Sequence, residues 1–207
     1  MSQAAVDRFL ASMERNLERW RDGIGYDLAA LGEMTAEERA GVEAMLLARD
    51  PPLWCDLEAL AQLDTPAARR AIQAALRHRD PAVRGAALRH GKAVIGDAER
   101  LLGIRRALEE AEFFDGLSEA LETIERFHPP EVIDLLLAAL LRREGEVAVH
   151  VAALLCFLHG QAAEPFDWQH RPFYLRFAEE DPDLRQAVFR DLCARIGRDP
   201  APFLAGI

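Results

Sequence analysis

Three segments of this chain repeat one pattern of side chains at intervals of 32 residues. Each segment places a large aliphatic residue, an alanine and a leucine at positions i, i+3 and i+4, which share one face of an α-helix. The three sets are Ile72, Ala75 and Leu76; Ile104, Ala107 and Leu108; and Leu136, Ala139 and Leu140. Because alanine lets two helices approach closely, the pattern predicts helices that pack face to face along the chain.

A second kind of helix alternates with the first, and its start is marked by an Asp-Pro pair. Such pairs stand at Asp80-Pro81 and Asp181-Pro182, with a weaker start at Asp50-Pro51. An aspartate at the N-cap accepts hydrogen bonds from the first helical turn, and proline fits the first helical position. With Glu144, which lies 64 residues after Asp80, these starts predict helix pairs beginning near 50, 80, 112, 144 and 181.

The segment Asp-Pro-x-Val-Arg-x-x-Ala at 80–87 resembles the HEAT-like repeat of the phycobilisome-lyase type. The match is best over 57–88, extends over about 50–158 and returns as a detached copy at 181–196. The resemblance implies an all-α fold, an α-solenoid of stacked antiparallel helix pairs in which neighbouring pairs bury each other's apolar faces. Ala148 stands where the other copies have Arg84 and Arg185, so we expect the contacts between repeats to be interrupted there.

Domain organisation follows from the extent of the repeats. We expect an N-terminal helical cap over 1–49, HEAT-like repeats over 50–159, and an aromatic-rich break with a C-terminal capping repeat over 160–207, all within one continuous domain.

The spacing of apolar residues over 3–21 predicts a first amphipathic helix that includes Leu17 and Trp20 and is ended by Gly23 and Gly25. Thr35 and Glu38 are spaced as a capping box.

Composition supports helices and excludes several classes of protein. Ala, Leu, Glu and Arg dominate, whereas there are only three Ser and three Thr, so strands are disfavoured. The longest apolar run, 147–158, has twelve residues, which is too short to span a bilayer. The N-terminus lacks the pattern of a secretory signal, and three scattered cysteines (Cys55, Cys156 and Cys193) fit reduced thiols. We therefore expect a cytoplasmic protein with no membrane association.

The repeat breaks in a segment that is rich in aromatic residues. Six of the fifteen aromatics fall within 157–177, where Pro165 and Pro172 forbid one continuous helix. Two interpretations stay open for this segment. It is either a recognition element, since Trp, Tyr and Arg anchor interfaces, or an aromatic plug that closes the last apolar surface.

The charge of the chain is unevenly distributed along its length. Residues 1–63 hold 6 basic and 12 acidic side chains, residues 64–110 hold 10 and 6, and residues 111–207 hold 9 and 17. Arginine outnumbers lysine by 24 to one, and arginine pairs well with carboxylate or phosphate. The basic middle either binds a partner or forms ordinary solvated helix faces. The candidate partner-binding residues are Arg69, Arg70, Gln73, Arg77, Arg105, Arg106, Phe166, Trp168, His170, Arg171 and Tyr174.

The first functional hypothesis is a non-catalytic module that binds a protein partner through the concave face and the aromatic segment. It would act as an adaptor or inhibitor, for example a bacterial immunity-type protein that neutralises a toxin. The resemblance also implies two alternatives: a DNA-binding protein or alkylpurine DNA glycosylase using Trp168 and Asp167, and a pigment-lyase subunit. A net charge of −10 disfavours nucleic acid as the partner.

Catalytic and metal-binding motifs are weak in this sequence. No phosphate-binding loop or nucleophile elbow is recognisable, so we expect no enzymatic activity and no cofactor. Cys156, His159, Asp167 and His170 match no strong zinc signature, and we expect no metal. The oligomeric state is left open.

Overall fold

The computed structural model describes residues 3–14, 24–112 and 116–205, and every regular element within those ranges is a helix. The prediction of an all-α chain is therefore confirmed for these residues. None of their helices combines the length and apolar character needed to cross a membrane. The chain divides into two compact units, Met1–Gly96 and Asp97–Ile207, and the division falls inside the predicted repeat region.

The first unit contains six helices among its described residues. They are α1 (Gln3–Ser12), α2 (Leu28–Glu33), α3 (Ala36–Leu47), α4 (Trp54–Leu63), α5 (Pro66–Ala75) and α6 (Pro81–His90). Helix α1 packs against α2, and α4 packs against α5 and α6. The capping box of Thr35 and Glu38 is present at the start of α3, and Asp80 caps α6 with Pro81 at its first position. Both local predictions are confirmed.

Helix α1 is shorter than the sequence pattern predicts. It ends at Ser12, whose hydroxyl donates to the carbonyl of Phe9 at 2.6 Å and accepts from the backbone N–H of Asp27 at 2.9 Å. A serine hydroxyl that hydrogen-bonds to a carbonyl of its own helix and to the backbone of another segment favours the end of the helix over its continuation. The predicted continuation through Leu17 and Trp20, and the predicted stop at Gly23, lie outside the described residues.

The weak helix start at Asp50-Pro51 is also corrected. Helix α4 begins at Trp54, and the side chain of Asp56 accepts from the backbone N–H of Leu53 at 2.7 Å. The side chain of Asp50 is instead 92% exposed. A carboxylate inside the first turn thus performs the capping that the Asp-Pro pair performs at α6.

The second unit is built from longer helices and a region of short turns. Its helices are α7 (Asp97–Glu110), α8 (Leu117–Arg126), α9 (Pro130–Arg142), α10 (Gly145–Leu158), α11 (Arg171–Tyr174), α12 (Pro182–Ile196) and α13 (Ala201–Leu204). Helix α7 packs against α8 and α9, while α10 packs against α8, α9 and α12. Asp181 caps α12 as predicted, and its carboxylate accepts from the N–H of Asp183 at 2.9 Å.

The repeated aliphatic positions lie in the cores of both units. Ile72, Ile104 and Leu136 are all fully buried, and the alanines three positions later in each helix are buried as well. Leu108 and Leu140 are buried too, whereas Leu76 is partly exposed at the end of α5. The 32-residue pattern therefore predicts correctly which helix faces are apolar and buried.

Arginine side chains hold the carbonyl ends of preceding helices in three places. In the first unit, Arg84 is buried and donates to the carbonyls of His78 and Arg79 at 3.0 and 2.9 Å, just beyond the end of α5. In the second unit, Arg185 of α12 donates to the carbonyls of Leu140 and Arg143, at 3.3 and 2.6 Å. The carbonyls of Leu140 and Arg143 belong to the last turn and the C-cap of α9, which leaves them without intrahelical partners, and a cation there also favours the helix dipole.

Helix α10 has Ala148 at the matching position, yet the end of α7 is still held. Arg143, which follows the last residue of α9, donates to the carbonyls of Leu108 and Ala111 at 3.2 and 2.8 Å. It also forms an ion pair with Glu112 at 3.0 Å. The expected interruption at Ala148 is thus compensated by an arginine from five positions earlier in the sequence.

Replacing Arg185 by alanine is expected to lower the free energy of unfolding by about 1.5–3 kcal/mol, because two partly buried helix-end carbonyls and Glu144 lose a charged donor. Urea denaturation followed by circular dichroism measures the change. Arg190→Ala in the same helix is the matched control, since the one hydrogen bond of Arg190 to the described residues is to Gln186 on the exposed surface. A loss no larger than that of the control would show that the arginine contacts do not stabilise the helix ends.

Candidate functional site

The aromatic segment, defined here as residues 166–177, follows α10 as a series of short turns. A 3-10 turn at Trp168–His170, the one-turn helix α11 and a second 3-10 turn at Leu175–Ala178 replace the single helix that Pro165 and Pro172 forbid. Asp167 fixes the first turn, because its carboxylate accepts from the N–H groups of Gln169 at 2.9 Å and Ala163 at 3.2 Å. These backbone hydrogen bonds hold the pKa of Asp167 below its usual value.

The inner side of the aromatic segment is part of the core. Phe173 and Phe177 are buried and meet edge to face, with ring centroids 5.8 Å apart. The guanidinium of Arg195 lies 3.9 Å from the ring centroid of Phe173 and covers its outer face. This half of the segment is an aromatic plug, which is one of the two interpretations that the sequence leaves open.

Tyr174 must be removed from the predicted partner-binding surface. Its side chain is fully buried because the ring is turned inward beside Phe166 and Phe173. Among the described residues its hydroxyl finds no hydrogen-bond partner. Burial raises the pKa of Tyr174 to about 12.

The outer side of the segment presents an exposed tryptophan. Trp168 is 70% exposed, the largest exposed fraction among the large apolar side chains that the structure describes. Phe166 lies beneath it with ring centroids 5.5 Å apart, and the guanidinium of Arg171 stands 5.5 Å from the indole centroid. Phe166 in turn rests on His150 of α10, at 4.8 Å. The indole therefore projects into solvent from a packed base.

The other predicted binding residues divide by what they already contact. Arg69 makes two hydrogen bonds of 2.8 Å to Asp64, and Arg106 pairs with Glu110 at 3.0 Å. Such exposed pairs exchange readily with solvent or with a partner. Gln73 is only partly exposed on α5. The basic residues of α5 lie in the first unit and those of α7 in the second.

A shallow groove of about 170 Å³ runs between α7 and α9 in the second unit. Its floor is apolar and its edges carry three guanidinium groups and one carboxylate. The lining residues are Arg105, Leu108, Glu109, Leu135, Ala138, Ala139, Arg142 and Arg143. Arg143 is occupied by Glu112 and helix-end carbonyls, whereas Arg105 and Arg142 have no hydrogen bond or ion pair with any described residue.

A buried polar network lies in the first unit, and the sequence pattern does not reveal it. The fully buried carboxylate of Asp56 accepts from the hydroxyl of Tyr26 at 2.7 Å and from Arg49 at 3.1 Å. Burial and hydrogen bonding raise the pKa of Tyr26. Every contact of this network is internal, which is the arrangement expected of a structural ion pair.

A second polar pair in the same unit is shielded by an aromatic ring. His90 stacks on Trp54 with centroids 6.0 Å apart, and its Nδ1 lies 3.8 Å from a carboxylate oxygen of Glu58. Burial lowers the pKa of His90 to about 4 and raises the pKa of Glu58. His90 is therefore uncharged near neutral pH and does not form an ion pair with Glu58.

The cysteines and the candidate metal ligands lie in inert surroundings. Cys55, Cys156 and Cys193 are buried free thiols, and burial raises the pKa of Cys156 and of Cys193 to about 11. His159 contacts the carbonyl of Leu155 in its own helix. Within the part of the chain that the structure describes, no three His, Cys, Asp or Glu side chains are grouped so as to hold a metal ion.

Sequence reasoning identifies the aromatic segment but misses the groove. Arg105 is among the predicted residues, whereas Leu135, Ala138 and Arg142 are not. A signal for them exists, because positions 135, 138, 139 and 142 form one stripe of α9 at helical spacing. What the pattern alone does not give is the helix that this stripe faces.

Neither a protein-family model, nor a curated protein, nor a solved structure matches this chain.

Proposed function

We propose that this protein is a non-catalytic protein-binding module whose helix pairs stack as a HEAT-like solenoid. The observation that carries the proposal is the exposure of Trp168, 70% of whose surface faces solvent above Phe166 and beside Arg171. Tryptophan and arginine are the residues most enriched at the energetic centres of protein interfaces. A tryptophan held on a packed base also loses little conformational freedom on binding, which favours affinity.

Charge supports a protein partner over a nucleic acid. The chain has a net charge of −10, and phosphate neutralisation supplies much of the affinity in nucleic-acid binding. Asp167, which a glycosylase would use as its carboxylate, already accepts two backbone hydrogen bonds. Acidic regions on either side of the basic middle suit a partner with basic patches. The module would serve as an adaptor, or as an inhibitor that covers its partner, of which toxin neutralisation is one form.

Replacing Trp168 by alanine is expected to weaken partner binding by about 30-fold, the effect of a 2 kcal/mol hot spot. Tagged wild-type protein and the variant are used to capture partners from the native lysate, and captured proteins are quantified by mass spectrometry. A partner found in this way is then purified and titrated. Since Trp20 and Trp54 also emit, the part of the tryptophan fluorescence that Trp168→Ala removes reports burial of the indole.

The matched control is Leu102→Ala, since Leu102 is a 63% exposed apolar residue on α7 of the same unit. Circular dichroism verifies that both variants keep their helices. Equal capture by wild-type protein and by Trp168→Ala would contradict the proposal. Salt-sensitive binding of duplex DNA, with no protein captured, would favour the nucleic-acid alternative instead.

A further inference from the structure

We infer that the groove between α7 and α9 is a docking site for an acidic peptide segment with an apolar side chain at its centre. The inference rests on the proposed protein-binding function and adds the chemistry of a segment that the partner would supply. It concerns the second unit alone, and it uses a surface distinct in its lining residues from the aromatic segment.

Two arginines at the edge of the groove are exposed and can bind the carboxylates of a ligand. Arg105 and Arg142 are exposed and have no hydrogen bond or ion pair with any residue that the structure describes. Most other arginines of this unit are engaged, for example Arg106 with Glu110 and Arg185 with Glu144. A guanidinium group matches the planar geometry of a carboxylate and binds it with two parallel hydrogen bonds. Two such groups at one groove favour a ligand with more than one carboxylate.

The floor of the groove is apolar and small. Leu135 and Ala138 are partly exposed there, beside the buried Leu108 and Ala139, so a ligand that only carries charge would leave this apolar surface uncovered. The volume of about 170 Å³ is well below the range of about 300–1,000 Å³ typical of small-molecule and cofactor sites. An apolar side chain of a bound peptide is small enough to occupy it.

The helix-end carbonyls beside the groove do not draw on Arg105 and Arg142. The C-terminal carbonyls of Leu108 and Ala111 are already satisfied by Arg143, which joins the ends of α7 and α9. The single acidic residue in the lining is Glu109, against the guanidinium groups of Arg105 and Arg142, which pair with no described residue; the third, Arg143, is paired with Glu112. The groove is thus locally basic within an acidic chain, and a ligand with the opposite charge is attracted to it.

The test uses fluorescein-labelled peptides of about ten residues in which leucines are flanked by glutamates, a size typical of peptide-recognition grooves. Two further peptides replace either the leucines by alanine or the glutamates by lysine. Binding to the wild-type protein is measured by fluorescence anisotropy at low and high salt. The Glu/Leu peptide is expected to bind at least about tenfold more tightly than either derivative, and more weakly at high salt.

The Arg105→Glu/Arg142→Glu double variant is expected to weaken the Glu/Leu peptide at least about tenfold. The matched control is Arg126→Glu/Arg190→Glu, which changes the net charge equally at exposed positions of the same unit. Trp168→Ala is expected to keep the peptide affinity. Wild-type protein and Trp168→Ala could capture the same amount of partner while the Glu/Leu peptide still binds the groove. In that case the function proposed for the aromatic segment is wrong and the inference about the groove stands.

Three results would overturn the inference. One is equal peptide affinity in wild-type protein and in the Arg105/Arg142 double variant. Another is the absence of any preference among the three peptides, which is measured on wild-type protein and does not depend on the folding of a variant. The third is displacement of the Glu/Leu peptide by a short single-stranded oligonucleotide that itself binds more tightly, which would assign the groove to phosphate.

Discussion

Replacement of Asp56 by alanine is expected to lower the free energy of unfolding by about 3 kcal/mol, the low end of the cost of breaking a buried ion pair. The carboxylate is fully buried and serves three donors: the hydroxyl of Tyr26, the guanidinium of Arg49 and the backbone N–H of Leu53. Without it, the hydroxyl of Tyr26 loses its acceptor, Arg49 keeps the Tyr26 oxygen at 2.8 Å but loses the opposite charge, and α4 loses its cap. The low end applies because the side chain of Arg49 is 33% exposed and can be rehydrated.

Chemical denaturation of the purified variant measures this loss, with the helical signal as readout. Glu33→Ala is the control within the same unit, because Glu33 forms an ion pair with Arg8 in which both side chains are about half exposed. That exposed pair is screened by solvent and is expected to contribute little to stability. If Asp56→Ala were as mild as Glu33→Ala, the buried network would not be the main polar support of this unit.

Replacement of Leu136 by alanine is expected to cost about 2–5 kcal/mol, as for other fully buried leucines. Leu136 occupies the third copy of the 32-residue pattern and is fully buried in the second unit. The cost combines the lost transfer of the side chain from water with a cavity that α9 and its neighbours cannot fill. Thermal and urea unfolding curves of the variant provide the measurement.

Leu102→Ala controls for the chemical change itself. Leu102 lies on α7 of the same unit with 63% of its surface exposed, so its truncation is expected to change stability by no more than about 0.5 kcal/mol. A comparable loss from both variants would mean that the repeated positions are not what holds the unit together.

The features that sequence predicts best are those determined by neighbouring residues. Asp80 with Pro81, and Thr35 with Glu38, act within one helical turn, so their residue types suffice to locate helix starts. The buried positions Ile72, Ile104 and Leu136 follow from helical spacing in the same way. Fold class and apolar faces are therefore readable without coordinates.

The features that sequence misses depend on contacts between distant segments. The hydroxyl of Ser12 ends α1 because it meets Asp27, and Arg143 holds α7 through main-chain carbonyls more than thirty residues away. Main-chain acceptors leave no mark on the residue types of the helix they belong to. Trp168 is exposed whereas Tyr174 is buried, and this difference depends on how the short turns of the aromatic segment pack against α10. Residue type alone does not determine that packing.

The arginine contacts at the helix ends have a consequence for how this chain can change over generations. In each contact of the second unit a guanidinium group binds peptide oxygens of a helix end together with one carboxylate, Glu112 for Arg143 and Glu144 for Arg185. Every amino acid carries the same peptide oxygen. The hydrogen bonds from arginine to the main chain are therefore kept when other surface residues of the accepting helix change. The outward-facing positions of these helices can therefore change in sequence while the packing beneath them is kept.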